Sequence, residues 1–542
     1  MKRRSFLHAS SLAAAGTLLR PSLARAGQST RAGGPSNIVD TTSGRVRGMF
    51  FQGVNTFRGI PYGASTAGAN RFMPPRKPQA WTGVRDVNAL GLRAPQLSNP
   101  RVPEWFVMDR GEPQGEDCLV LNVFTPSLND GGKRPVMVWL HGGGFVGGSA
   151  GFTVYEGQNL VGMRDVVLVH LNHRLNLFGF LYLGDAAGER YADGNVGMLD
   201  IVAALEWVRD NIARFGGDPA NVTVFGQSGG GSKVSTLFGM PAAKGLFHRA
   251  IAMSGSQVRS LTRDQAAATT ARVLTALGLT KDRLGELHTL PMRRLRDVLN
   301  AGGAQGFNFA PVVDGRTLPA HVFDPVASPF GADVPLLIGS TETEVTWNES
   351  QIYDPLTDAE LRDDVMRVLR MDGAGADRAI AVYRAHRPKA SNLDLYLILA
   401  SDSSNFRTGT DTQAEMKSAQ QGAAVYKYYF QWYSPVRGGN LRAMHTMDIP
   451  FIFENYELAA VEVGSGPELK PLGDRMAGAW VAFAKTGNPS HRLIPRWPVY
   501  DTATRATMII NDEWTVVNDP FGAEKAAVAA VSGKAAAGAT TR

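Results

Sequence analysis

The chain of 542 residues has a single cysteine, Cys118. One thiol forms no internal disulfide, so no disulfide framework holds the fold and no Cys pair is offered to zinc. The simplest role for Cys118 is a small buried hydrophobe. H-E-x-x-H and other metal-ligand spacings are missing too, so no metal and no cofactor are expected. Runs of about 20 apolar residues are missing, which leaves no spanning helix to expect in the mature protein. Clustered Lys/Arg is absent from the body of the chain, which argues against nucleic acid as a partner. Repeats of 20–50 residues and long internal linkers are also lacking.

The formal net charge of +7 is misleading. Lys2, Arg3, Arg4, Arg20 and Arg25 lie before Ala26 with no acidic residue among them, which leaves +2 for the remainder. This first stretch, "MKRRSFLHASSLAAAGTLLRPSLARAG", has a basic start, a modest apolar run and Ala24-Arg25-Ala26 as an A-x-A cleavage site. Arg3 and Arg4 followed by Ser5-Phe6-Leu7 have the form of a twin-arginine signal. Residues 1–26 are therefore expected to export the protein, to the periplasm or beyond. Residues 27–522 are expected to form one catalytic domain, and the Ala-rich residues 523–542 a low-complexity tail.

What is present is an alternation of buried strands and helices. "RPVMVWLHGGG" and "DVVLVHLNHR" are apolar β-branched runs, and "IVAALEWVRDNIARFGG" has helical spacing with a glycine stop. "NVTVFGQSGGG", "RAIAMSGS", "VPLLIGST" and "AAVYKYYFQWY" continue the series. The pattern predicts an α/β fold around a large, mostly parallel mixed sheet flanked by helices.

The run "VFGQSGGGSK" carries the chemistry. Lys233 comes one place too late for a P-loop, and Ser228 stands where a dinucleotide motif needs glycine. Gly226-Gln227-Ser228-Gly229-Gly230 instead fits G-x-S-x-G, a strand-to-helix elbow presenting a serine nucleophile. Lys233 is read as an ordinary residue of the helix that follows. Donors for an oxyanion are expected from a Gly-rich loop after an earlier strand, matched by Gly142, Gly143 and Gly144 in "WLHGGGFVGG", with the Gly229 N–H as a further donor. A base and its acid should follow the serine in the order Ser, Asp/Glu, His. His386, His445 and His491 lie downstream, and His445, in a loop entering an apolar segment, suits a base best. Glu342 and Glu344 both lie just past the strand "VPLLIGS", and the residues alone leave the two open.

The blocks "FRGIPYG", "EDCLVLNVFTP", "VMVWLHGGGF", "NHRLNLFGFL", "GNVGMLD", "ALEWVRDNIARFGGDPANVTVFGQSGGG", "MSGS", "PVVDG", "HTMDIPFIF", "FAKTGNP" and "WPVYD" occur in the order seen in type-B carboxylesterases, the cholinesterase-like α/β-hydrolases. The chain resembles that family over nearly its whole mature length. The resemblance implies an α/β-hydrolase fold with helical and loop insertions forming a gorge. It implies Ser228, Glu344 and His445 as the catalytic triad, and Gly143, Gly144 and Gly229 as the oxyanion hole. It also implies Gln227, Phe145 and Trp105 as candidates for lining the substrate pocket. In this family the position of Gln227 is often Glu, and a neutral amide argues against choline esters. The family's disulfide partner of Cys118 corresponds here to Ala94, so the loop from Pro95 to Glu116 is expected to be less constrained. The function implied is hydrolysis of a small-molecule carboxylic ester through an acyl-enzyme. The alternatives are another acyl-transfer hydrolase on the same site (lactonase, amidase or thioesterase) or a non-catalytic adhesion or binding member. Acyl and alcohol preference depends on loops such as 95–116 and the segments around Phe307–Phe309 and Trp347.

Overall fold

The apolar runs become strands because both of their faces are covered. In β6 (Arg134–Leu140) every residue after the first is buried, and β7 (Val167–Leu171) is buried throughout. The computed structural model describes residues 34–97, 111–302, 306–346 and 355–528; the expected signal segment, Trp105, Trp347 and most of the expected tail lie outside them. Thirteen strands form one sheet. The others are β1 (Gly34–Thr41), β2 (Gly44–Phe51), β3 (Val54–Pro61), β4 (Val84–Asp86), β5 (Val120–Thr125), β8 (Gly217–Gln227), β9 (Arg249–Met253), β10 (Leu336–Thr341), β11 (Val425–Phe430), β12 (Thr507–Ile510) and β13 (Thr515–Val517). Their order is β1-β2-β3-β5-β7-β6-β8-β9-β10-β11-β12-β13, with β4 beside β2. From β7 to β12 all neighbours are parallel, while β1, β2, β3, β5 and β13 add antiparallel edges.

Side chains alternate across the sheet, as strand geometry requires. Val136, Val138 and Leu140 enter the core on one face; Met137 and Trp139 enter the core on the other. Trp139 anchors the second core, its ring lying 4.9 Å from Tyr155 and Phe225 and 5.0 Å from Phe453. Trp139→Ala should lower stability by about 3–5 kcal/mol. A denaturant midpoint that barely moves would contradict this packing role.

Register sets the stage for the site. Leu140 of β6 pairs with Gly226 of β8, Gly226 with Ala252 of β9, and Ala252 with Ile338 of β10. The loops after β6, β8, β9 and β10 therefore leave the sheet along one edge, where parallel α/β sheets place their ligands. The "NHR" and "GNVGMLD" blocks have a structural task beside it. Arg174 and Asp200 form a fully buried ion pair (Nη2–Oδ1 2.7 Å), tying the loop after β7 to helix α1 (Val196–Asn211).

One expectation is corrected. The packed domain does not stop at residue 522. Residues 522–528 are helical, Glu524 is fully buried against Arg387 (2.9 Å), and Val528 joins the core around Val365 and Tyr383. The few non-alanine residues there, spaced to share a helix face, hold it down. The loop expected to be less constrained, 95–116, has residues 98–110 outside the described ones, and its two ends are anchored. Gln96 exchanges two hydrogen bonds with Gly148, donating through Nε2 (2.9 Å) and accepting at Oε1 (2.8 Å). Arg71 clamps Glu116 through two hydrogen bonds of 2.6 Å. Cys118 is free and buried, and burial pushes its thiol far up, away from reactivity. Among the described residues no helix is long and apolar enough to cross a membrane.

Candidate active site

Strand β8 ends at Gln227 and helix α2 (Gly229–Leu237) begins at Gly229. Ser228 lies between them with φ 57° and ψ −126°. A non-glycine residue at positive φ persists only where its surroundings hold it. The Ser228 N–H donates to Met253 O (2.8 Å), and β6 crowds the turn from the other side. A Cβ on Gly226 would lie 2.6 Å from Leu140 O, and one on Gly230 would run into the same oxygen. This crowding is why the sequence is glycine-rich here. Ser228 itself stays half-buried, within reach of a substrate.

The glycine loop after β6 comes to the same point. Gly143 (φ +89°) and Gly144 (φ +61°) both adopt the left-handed region that glycine favours. A Cβ on Gly229 would collide with the Gly144 nitrogen, so these two backbone N–H groups are immediate neighbours. A Cβ on Gly142 would lie 3.5 Å from the Ser228 Cβ. The positive end of α2 adds to the donor field.

His445 and Glu344 meet across 101 residues, with Nδ1 2.5 Å from Oε2. The other carboxylate oxygen, Oε1, accepts the Thr341 N–H (2.7 Å). Burial alone would push the fully buried Glu344 carboxyl up; the His445 imidazole and the hydrogen bonds from His445 and Thr341 outweigh it and hold the group below its usual range. A carboxylate on Nδ1 selects the tautomer that leaves Nε2 as acceptor. Glu342 has other work. It accepts hydrogen bonds from Arg387 (2.6 Å) and Gln431 (2.8 Å). His386 lies on its own helix against Val382 O, and His491 against Arg475 O.

The pocket candidates are revised. Gln227 is buried, and its amide nitrogen lies 3.2 Å from His445 Nε2 and 3.3 Å from Nδ1. Two near-equal distances put the amide over the imidazole face, so Gln227 touches the base rather than open pocket. Phe145 is packed edge-on against Phe180 (5.1 Å) as part of the core. Trp105 lies outside the described residues.

Three residues were not legible as site residues. Phe406 packs against the His445 ring, with centroids 4.4 Å apart. Asp448 is fully buried, accepts a hydrogen bond from Tyr428 (2.9 Å), and is pushed up to about 7 by burial first and by the Glu344 charge second. Its position three residues after His445 was the available signal. Lys233 is fully buried, and its Nζ donates to His141 O (2.8 Å). Among the described residues no group of His, Cys, Asp and Glu is arranged to hold a metal ion.

The chain is similar to known proteins over nearly all of its described length. The family model described as "Carboxylesterase family" matches residues 35–528. The para-nitrobenzyl esterase of Bacillus subtilis (strain 168) is 37% identical over 503 residues, spanning 89% of this chain and 96% of that one. Among solved structures, a carboxylesterase of Geobacillus stearothermophilus superposes with a TM-score of 0.78 at 37% identity, covering 90% of this chain and 99% of that chain. An esterase of Clostridium hathewayi, described as hydrolysing aliphatic aromatic polyesters, gives a TM-score of 0.79 at 35% identity, covering 92% and 98%.

Proposed function

The chain belongs to the carboxylesterase family, a serine carboxylesterase that hydrolyses carboxylic esters, and from that premise we propose that Ser228, Glu344 and His445 carry the reaction through an acyl-enzyme. The observation that supports this most is the 2.5 Å contact between Glu344 and His445 beside a serine held at an elbow.

His445 Nε2 takes the Ser228 proton as Oγ attacks the ester carbonyl carbon. The charge that develops on the carbonyl oxygen is met by the N–H groups of Gly143, Gly144 and Gly229, in a site that reorganises little as the charge appears. Collapse of the tetrahedral intermediate expels the alcohol, which leaves with the proton from His445. Water then attacks the acyl-serine by the same route, and Oγ recovers its proton. Glu344 stays ionised throughout and steadies the imidazolium. Gln227 brings a neutral amide to the imidazole face, where a carboxylate would add a second negative charge; this favours neutral esters over cationic ones.

A fluorophosphonate probe tests the assignment, because it reacts with an activated serine and mimics the tetrahedral intermediate. The expected result is one adduct per chain, on the peptide containing Ser228. An unlabelled chain, or an adduct on another serine, would overturn the reading.

A further inference from the structure

Lys233 is a charged side chain with no exposure at all, on the helix that starts at the nucleophile. Burying an ammonium group costs several kcal/mol unless it is paired. Its hydrogen bond goes to a neutral acceptor, the carbonyl of His141 (2.8 Å). His141 joins the end of β6 to Gly142, and so begins the glycine loop that provides Gly143 and Gly144.

The groups facing the ammonium are held neutral. The His141 and His173 imidazoles are stacked (5.1 Å, 17°), each with Nδ1 2.8 Å from a backbone carbonyl, of Gly142 and of Arg174 respectively. Burial first, and Lys233 second, hold both well below the ordinary histidine value. The Phe145 ring lies 6.0 Å from Nζ. Arg174, the next cation, faces His173 and is itself neutralised by Asp200.

We propose that Lys233 is a positioning residue for the oxyanion hole: its ammonium fixes the His141 carbonyl, and with it the orientation of the glycine peptides that present N–H groups to the ester oxygen. Glycines have no side chains to anchor them, so the direction of the loop depends on how its first peptide is held. This inference rests on the esterase reading above.

Lys233→Met keeps the volume and removes the charge and the donor. With a 4-nitrophenyl ester at pH 6, kcat should fall at least about tenfold while KM changes less than about threefold, because the hole acts on the transition state. Tm should not fall, because a buried charge has been removed. Burial holds Lys233 down to about 7, so the native ammonium is present below that pH and lost above it. The ratio of native to variant kcat should therefore shrink as pH rises from 6 to 9. Lys233→Gln, read by the same criteria, covers the case in which the Met variant does not fold. A kcat within about twofold of native at pH 6, a loss that is the same at every pH, or a loss that parallels a drop in Tm would overturn the proposal. Fluorophosphonate labelling of Ser228 in both proteins separates this outcome from failure of the esterase assignment.

Discussion

Ser228→Ala lowers kcat for a short 4-nitrophenyl ester by about four to six orders of magnitude, with Tm close to native. Removing the nucleophile of such a triad leaves only what binding and the oxyanion donors contribute. The fold has little reason to respond. Alanine takes the same backbone strain at φ 57°, and Ser228 is half-buried at the sheet edge rather than packed in the core. The stability change should stay within about 0.5 kcal/mol. Steady-state kinetics with a thermal melt on the same preparation decides the matter. Turnover near the native rate would mean that another group attacks the ester.

Glu344→Gln should cost about 10⁴-fold in kcat, and Glu342→Gln only a few-fold. The first effect follows from hydrogen-bond donors. The Thr341 N–H needs an oxygen and would keep the glutamine Oε1, as it now keeps that of Glu344 (2.7 Å). The amide NH2 would then face His445 Nδ1, forcing the imidazole proton onto Nε2, where it blocks abstraction from Ser228. The second effect is structural. Glu342 neutralises Arg387, which keeps Glu524 as a partner when Glu342 is changed. Equal losses in the two variants would place the acid wrongly.

Much of this site was legible because it is local or repeated. G-x-S-x-G and the glycine run each sit at a strand end, and the strands announce themselves as apolar β-branched runs. The choice between Glu342 and Glu344 was not legible from residue chemistry, since both follow β10 by a few residues. It depends on where the chain turns after Thr341 and on Arg387 arriving from elsewhere. Gln227 reaches His445 across 218 residues, a separation at which no periodicity carries information. The burial of Lys233 was not legible because lysine on a helix is ordinarily solvated; its ammonium is taken up by the His141 carbonyl at the end of β6. Phe145 was misjudged for the opposite reason. A phenylalanine beside the glycine loop looked like pocket lining, but Phe180 gave it a core place.

The row Leu140, Gly226, Ala252 and Ile338 has a kinetic side as well. It joins four strands that are distant in sequence, and no subset of them holds donors, nucleophile and acid together. Such pairings pay their loop-closure entropy before they gain contacts, and parallel sheets form slowly for that reason. Catalytic competence arrives with the last central strand, so recovered turnover during refolding reports completion of the sheet rather than the appearance of secondary structure.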